Sequence, residues 1–203
     1  FDRDVTLQEL NLNPEKKTIL IMGGSLGMGN ISELFKELSK SDLDAQIIVI
    51  AGKNKNLYDE LLELSKDSIL PSVIIGYTNN VNKLIQASDL LLTKPGGLTI
   101  TESLASELPM GIFSPLPGQE IKNKEFLLRH NLAIDIDDAP NFINNINYIN
   151  HKIESLGDIY RIGGDELVII ASRNNRDILD ETFREMEKYI SHNNKEINFA
   201  YGF

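Results

Sequence analysis

Residues 18–39 read TILIMGGSLGMGNISELFKELS, and this stretch decides the fold. A short apolar run is followed by a glycine-rich turn and then by apolar residues spaced three and four apart. That order is typical of a buried strand, a tight turn and an amphipathic helix. The same alternation recurs along residues 40–136, which predicts βα units in a parallel sheet.

Six strands and five helices are predicted from this alternation. The strands are expected at Thr18–Met22, Gln46–Ala51, Ser72–Tyr77, Asp89–Thr93, Met110–Ser114 and Leu132–Ile136. The helices are expected at Ile31–Ser39, Leu57–Ser65, Val81–Ala87, Thr99–Ser106 and Glu120–Arg129. The fold class is therefore α/β, with a Rossmann-like, doubly wound parallel sheet.

After residue 141 the pattern changes to that of a smaller α+β segment. Its predicted elements are a helix over residues 142–156, a β-hairpin of Ile159–Ile162 and Leu167–Ala171, a helix at Asp177–Ile190 and a strand at Ile197–Tyr201. Two apolar runs around a Gly-Gly-Asp turn indicate the hairpin. We accordingly divide the chain into residues 1–17, 18–149 and 150–203.

The composition excludes several classes of protein. Of the 203 residues 41% are hydrophobic, so the chain is long enough to bury a core. Its 20 basic and 30 acidic residues give a net charge of −10, which disfavours nucleic acid as a partner and a polybasic membrane contact. The absence of cysteine excludes disulfides and thiolate metal sites. The apolar runs are too short for a membrane-spanning helix, and we expect a cytoplasmic location.

Two glycine-rich turns lie between a predicted strand and a predicted helix. The first, Gly23–Gly29, would let backbone N–H groups approach a phosphate at a helix N-terminus, and the alternative is a turn needed only for packing. The second, Gly96–Gly97, precedes Thr99 and Glu102. A carboxylate at that position can accept hydrogen bonds from the two adjacent hydroxyl groups of a ribose. The alternative is a capping box with Thr99 as the N-cap.

A third loop follows the predicted fifth strand. It reads Ser-Pro-Leu-Pro-Gly-Gln-Glu over residues 114–120, with Asn123 beyond it. Two prolines stiffen the loop, which then presents an amide and a carboxylate suited to sugar hydroxyls. All three loops follow strand carboxyl ends, and ligands of open parallel sheets bind at that edge.

These three motifs together carry a resemblance. The Gly-Gly-Ser loop, Thr-Lys-Pro-Gly-Gly-Leu-Thr-x-x-Glu at 93–102 and Pro-x-Pro-Gly-Gln-Glu at 115–120 resemble the C-terminal, nucleotide-sugar-binding domain of GT-B glycosyltransferases. From about Leu12 to about Ile149 the chain is similar to processive diacylglycerol glucosyltransferases and monogalactosyldiacylglycerol synthases. The resemblance implies binding of a UDP-sugar for hexosyl transfer to diacylglycerol or a related lipid.

The resemblance also implies a role for each candidate residue. The diphosphate of UDP would face Gly23, Gly24, Ser25, Gly27, Gly96, Gly97 and Thr99. Glu102 would hold the ribose, and the backbone around Tyr77 and Thr78 would meet uracil. The sugar would be held by Gln119, Glu120 and Asn123. No cofactor is implied, because helix N-termini would stabilise the departing UDP in place of a metal.

Enzymes of this kind have a preceding domain that binds the lipid acceptor and supplies the proposed general base. No counterpart of that domain is expected in this sequence, and residues 1–17 resemble the segment leading out of it. We therefore expect the donor half of a transferase, with no catalytic residue of its own. Membrane contact, peripheral at the inner membrane face, would be made through that domain.

The C-terminal segment carries a second resemblance. Tyr160–Leu167 is similar to the hairpin of GGDEF domains, with Leu167 in place of Phe. In that family the two glycines approach GTP, while the acids, here Asp165 and Glu166, serve metal coordination. Only the second half of such a domain is indicated, so diguanylate cyclase activity is not expected, and magnesium would be needed only if the hairpin were functional.

Two alternatives stay open on the sequence. The chain is a non-catalytic nucleotide-binding or signalling module in which the GGDEF-like segment matters, or it is an artificial fusion of two partial domains. Whether it is an enzyme is not decided by the sequence.

Overall fold

The computed structural model describes residues 2–137 and the two strands Ile159–Ile162 and Leu167–Ile170. The chain divides into two compact units, Phe1–Asn147 and Tyr148–Phe203. In the first unit the helices are α1 (Arg3–Glu9), α2 (Ile31–Leu38), α3 (Lys55–Ser65), α4 (Val81–Gln86), α5 (Gly97–Ala105) and α6 (Gln119–Arg129). Its strands are β1 (Lys17–Met22), β2 (Ala45–Ile50), β3 (Ser72–Ile75), β4 (Leu90–Thr93), β5 (Met110–Ile112) and β6 (Ala133–Asp135).

The six strands form one parallel sheet in the order β3-β2-β1-β4-β5-β6. Strands β1, β2 and β4 are almost wholly buried, which explains their continuous apolar sequences. The chain moves outward from β1 to β3 and then returns to continue from β4 on the other side. The order therefore reverses between β1 and β4, and ligands of doubly wound sheets bind at such a point.

The helices pack on both faces of this sheet. Helix α2 contacts α3, while α4 contacts α1 and α5. Right-handed crossovers in opposite directions from the centre put α2 and α3 on one face and α4 to α6 on the other. Helix α2 illustrates packing through an apolar face. Ile31, Phe35 and Leu38, spaced four and three residues apart, are fully buried, while the other face of α2 is polar.

The predicted α/β fold is confirmed, and all six predicted strands and five predicted helices are present with shifts at their ends. Helix α1 was not predicted. The second unit contributes an antiparallel pair, β7 (Ile159–Ile162) and β8 (Leu167–Ile170), as predicted for the hairpin. The predicted helices over 142–156 and 177–190 and the strand at 197–201 lie outside the described residues. The proposed boundaries at 17 and 149 stay predictions.

Residues 2–16 are fastened to the amino-terminal edge of the sheet. The Arg3 guanidinium pairs with the Asp89 carboxylate at 2.8 Å, and the same carboxylate accepts the Thr18 N–H at 2.8 Å. Beside it, buried Gln46 accepts the Asn13 N–H and donates to the Asn13 carbonyl, at 2.9 and 2.8 Å. None of the described helices is both long and apolar enough to cross a membrane.

The Gln46 side chain gives a test of this anchorage. Its amide is fully buried and also donates to the Thr18 hydroxyl at 2.9 Å. Gln46→Leu keeps the volume but leaves these partners unpaired, so the free energy of unfolding should fall by about 1–3 kcal/mol. Urea unfolding measures this, with Gln8→Leu, an exposed position on α1, as the control. Equal stability of the two variants would contradict the anchoring role.

Candidate functional site

The strand carboxyl ends form a single row across the sheet. Met22 pairs with Ile50 on one side and Thr93 on the other, and Thr93 pairs with Ile112. The loops that follow β1, β4 and β5 therefore leave the sheet side by side at the point of strand reversal. They also touch: a Cβ built on Gly29 would lie 2.9 Å from the Phe113 ring.

Several of the described helices that begin at this edge lack side-chain caps. Helices α2, α5 and α6 begin after Asn30, Gly96 and Gly118, none of which caps its helix through a side chain. By contrast, α1 and α3 are capped by the carboxylate of Asp2 and the amide oxygen of Asn54. Within the part of the chain that the structure describes, the first-turn N–H groups of α2, α5 and α6 thus have no side-chain acceptor, and such groups attract anions.

The first glycine loop combines packing with open space. A Cβ on Gly27, whose φ is +57°, would lie 2.1 Å from the Ala51 carbonyl oxygen, so this glycine is required by contact with the loop after β2. That contact is reinforced by the Lys53 N–H, which donates to the Ser25 carbonyl at 2.9 Å. Gly24 has no neighbour of this kind within 4 Å among the described residues. The packing interpretation therefore holds for Gly27, whereas the approach of this loop to a phosphate stays a prediction.

The second glycine loop begins α5 directly. Gly96 is the N-cap and Gly97 the first helical residue, so the alternative of a capping box with Thr99 as N-cap is wrong. Thr99 instead lies in the first turn of α5 and Glu102 in the second. A Cβ on Gly96 would meet no atom of the described residues within 4 Å, so there is open space beside this N-cap.

Glu102 is a partly buried carboxylate at this edge that has no counter-charge among the described residues. It is half-buried, and within the described residues its carboxylate has neither a hydrogen bond nor an ion pair. Burial without a partner raises the pKa of this carboxyl above its usual value of 4.5. The fold thus holds a desolvated acceptor next to the N-terminus of α5.

The loop after β5 is held by two carboxylates. Asp137 accepts the Ser114 N–H at 2.7 Å, and Ser114 has a φ of +44°, which is uncommon for a residue with a Cβ. Glu120 accepts the Leu116 N–H at 2.6 Å. Lys94, with 6% of its side chain exposed, lies 3.4 Å from the same Glu120 oxygen. The loop is therefore held at its start and in its middle.

A second lysine stabilises the Asp137 end. The Lys124 ammonium contacts Asp135 at 2.7 Å and Asp137 at 2.8 Å. Burial alone would lower the pKa of Lys124, but hydrogen bonds and charge attraction to the two aspartates outweigh burial and raise it. Lys124 therefore stays charged and offsets part of the negative charge of this pair.

Two of the predicted residues of α6, Gln119 and Asn123, are linked by a hydrogen bond between their side-chain amides. Gln119 donates to Asn123 at 2.9 Å, and Asn123 donates to the Pro95 carbonyl at 2.9 Å. This connects the start of α6 to the loop after β4. Gln119 itself is exposed at the open edge.

Tyr77 and Thr78 lie farther out, after β3. The Tyr77 ring is 55% exposed and has the Lys53 ammonium 5.0 Å from its centroid. The Thr78 hydroxyl accepts the Asn80 N–H at 3.1 Å. These residues follow the edge strand, two strands from the reversal, so they flank the three central loops rather than belonging to them.

Sequence reasoning found the loops but missed the charges that fix them, at Lys94, Lys124, Asp135 and Asp137. Lys94 belongs to the motif at residues 93–102, but its burial, which indicates a structural role, is visible only in the folded structure. The candidate metal ligands Asp165 and Glu166 lie outside the described residues. Among the residues that are described, no group of three or more acids and histidines is arranged to hold a metal ion.

Comparisons with known proteins agree with this geometry. The processive diacylglycerol beta-glucosyltransferase of Bacillus subtilis strain 168 is 36% identical over 131 residues, 64% of this chain and 34% of that protein. The enzyme of the same name from Staphylococcus epidermidis strain RP62A is 36% identical over 143 residues, 70% of this chain and 36% of that protein. This chain thus spans about a third of the length of these relatives.

A solved structure supports the fold. The crystal structure of Acinetobacter baumannii MurG matches with a TM-score of 0.58 at 21% identity, over 73% of this chain and 45% of that one. Residues 18–155 match the glycosyltransferase family 28 C-terminal domain. That stretch contains the whole sheet from Thr18 onward and all three loops. The chain therefore belongs to the family of glycosyltransferase family 28 C-terminal domains.

Proposed function

We propose that this chain is the donor-binding part of a glycolipid-forming glycosyltransferase. It would bind a UDP-sugar at the strand reversal and present the hexose for transfer to diacylglycerol or a related lipid. The relatives named above, processive diacylglycerol beta-glucosyltransferases, favour this acceptor class. The proposal concerns the whole reaction, of which residues 1–203 would supply the donor side.

The single observation that carries the proposal is the environment of Glu102. A half-buried carboxylate without a partner in the described residues lies one turn behind the uncapped N-terminus of α5. A nucleoside diphosphate matches both features, because its phosphates are acceptors and its ribose carries two adjacent hydroxyl donors. Free phosphate would use only the helix end.

The diphosphate would lie between the first glycine loop and Gly96–Gly97. The N-termini of α2 and α5 both face this edge, and their unpaired N–H groups and dipoles would stabilise negative charge on the departing UDP. We propose that this replaces a metal cofactor. Uracil would lie toward Tyr77 and Thr78, whose position beyond β2 leaves room for a base.

The hexose would lie against the first turn of α6, beside Gln119, Glu120 and Asn123. The transfer itself would be a direct displacement at the anomeric carbon with inversion, in which the acceptor hydroxyl attacks as the bond to UDP breaks. A general base and an acceptor site would come from a separate domain, since the described edge offers groups suited to the donor. Donor binding alone would not accelerate this step.

Glu102 should lower the stability of the ligand-free protein. Burial raises the pKa of Glu102 in the folded state. Above a pH of about 4.5 the unfolded chain therefore loses this proton before the folded chain does, and the free energy of unfolding falls as the pH rises until the folded protein has lost the proton too. Glu102→Gln should therefore unfold at higher urea concentration than wild type at pH 7, with the difference shrinking at pH 4. Glu37→Gln, at an exposed position on α2, controls for the loss of one acidic charge.

Glu102→Ala should weaken UDP binding. Loss of a hydrogen bond to a charged group is worth about 1.5–3 kcal/mol, or roughly 10- to 100-fold in the dissociation constant. Titration calorimetry with UDP measures this, and Glu37→Ala is the matched control. Unchanged affinity in a folded Glu102→Ala protein would remove the ribose role and the proposal with it.

Residues 1–203 alone should bind the donor without forming glycolipid. Incubation with UDP-glucose or UDP-galactose and diacylglycerol vesicles should give no product, because a positioned acceptor and a base are needed for displacement. A longer protein with an acceptor-binding domain preceding these residues should give product. Glycolipid formation by the 203 residues alone would require an acceptor site within them and would refute the division of labour proposed here.

A further inference from the structure

Three side chains at the start of α6, Gln119, Glu120 and Asn123, are candidates for contact with the hexose. We propose that Glu120 is a positioning residue instead: paired with buried Lys94, its carboxylate holds the loop of residues 114–118 in the conformation that receives the sugar. This inference rests on the proposed function and assigns separate tasks to the residues of its hexose end.

The Leu116 N–H has a special position in this loop. Pro115 and Pro117 on either side of it have no N–H, so Leu116 provides the one backbone donor of that tripeptide. Glu120 accepts this donor at 2.6 Å through Oε2. A single side chain therefore determines how the middle of the loop folds back onto α6.

A buried positive charge accompanies the contact between Glu120 and Leu116. Lys94 is buried, and its ammonium lies 3.4 Å from the same Oε2 of Glu120. Removing one partner of a buried ion pair leaves an uncompensated charge, which is strongly destabilising. Lys94 thus requires a carboxylate at position 120, whether or not a sugar is bound.

Asn123, one turn further along α6, also contacts a backbone group of a neighbouring loop. It donates to the Pro95 carbonyl at 2.9 Å, so Glu120 and Asn123 both tie α6 to the segment of residues 94–95. Gln119 is different, because it is exposed and its carbonyl oxygen has no partner in the described part of the chain. The hexose hydroxyls are left to Gln119 and to the backbone of the loop.

The other end of the loop is built in the same way. Asp137 accepts the Ser114 N–H and is itself paired with Lys124. Two of the three backbone donors of the loop, at Ser114 and Leu116, are therefore held by a carboxylate with a lysine partner. A loop ordered before binding avoids the entropy loss of ordering it on the ligand, which favours affinity for the sugar part of the donor.

A double-mutant cycle in the full chain tests this. Dissociation constants for UDP, UDP-glucose and UDP-galactose are measured for wild type, Lys94→Met, Glu120→Gln and the double variant. The dissociation constant of UDP divided by that of a UDP-hexose isolates the contribution of the hexose to binding. Glu120→Gln should lower this ratio by about tenfold, since the Lys94 charge is left unpaired and the loop shifts. The double variant should recover to within about threefold, because the Gln oxygen still accepts the Leu116 N–H without a buried charge nearby.

A direct contact between Glu120 and the hexose gives a different result. The double variant would then lose as much of the ratio as Glu120→Gln alone, and that outcome would overturn the positioning role. Lys122→Met and Glu125→Gln, at exposed positions on α6, are the matched controls and should leave the ratio as in wild type.

Hydrogen exchange separates this inference from the donor proposal. Without any ligand, the Leu116 amide should exchange slowly in wild type and in the double variant, and at least about tenfold faster in Glu120→Ala, where its acceptor is removed. Fast exchange in wild type would refute the positioning role of Glu120 even if UDP binds. Slow exchange together with no UDP binding would refute the proposed function while leaving the contact of Glu120 with the Leu116 N–H intact.

Discussion

A strand that runs directly into a helix on a parallel sheet brings its own carboxyl end next to the amino end of that helix. Everything at this site depends on that constraint. Because the strand order reverses between β1 and β4, helices on opposite faces of the sheet start at one crevice, and the N-termini of α2, α5 and α6 meet there. Their first-turn N–H groups cannot be satisfied within the helices, so the fold itself produces a concentration of donors at one edge.

The described carboxylates near this crevice are divided between three that are paired with lysines and one, Glu102, that is not. Asp135 and Asp137 share Lys124, and Glu120 has Lys94. Glu102 has no such partner among the described residues, although burial makes its charge unfavourable. The fold pairs its other partly buried carboxylates at this edge and leaves Glu102 unpaired, so replacing Glu102 would stabilise the ligand-free protein. A ligand that donates hydrogen bonds to Glu102 would account for the presence of a carboxylate at this position.

The alternation of apolar runs and helical periods was enough to predict the sheet, because β1, β2 and β4 are buried on both faces and leave little ambiguity. Helix α1 was missed because Arg3–Glu9 is short and buries only two residues, so it lacks an apolar stripe. Predicted strands such as Ser72–Tyr77 ran too far, since β-branched and aromatic residues continue after the ladder of hydrogen bonds has ended. Propensity is local, whereas the end of a strand is set by its neighbours.

The candidate site was predictable as a set of loops but not as a set of contacts. The spacing Thr-x-x-Glu is shared by a capping box and by a ribose-binding turn, and the start of α5 at Gly97 decides against the capping box. The pairing of Lys94 with Glu120 joins loops from two different strands, so no local pattern could reveal it. It follows that a motif can mark a residue correctly as belonging to a site and still leave its task open: contact with the ligand or support of the loop that makes contact. In this chain the buried ammonium of Lys94 is what separates the two tasks, because a carboxylate already committed to a buried charge and to a backbone N–H has little freedom left to adapt to a sugar.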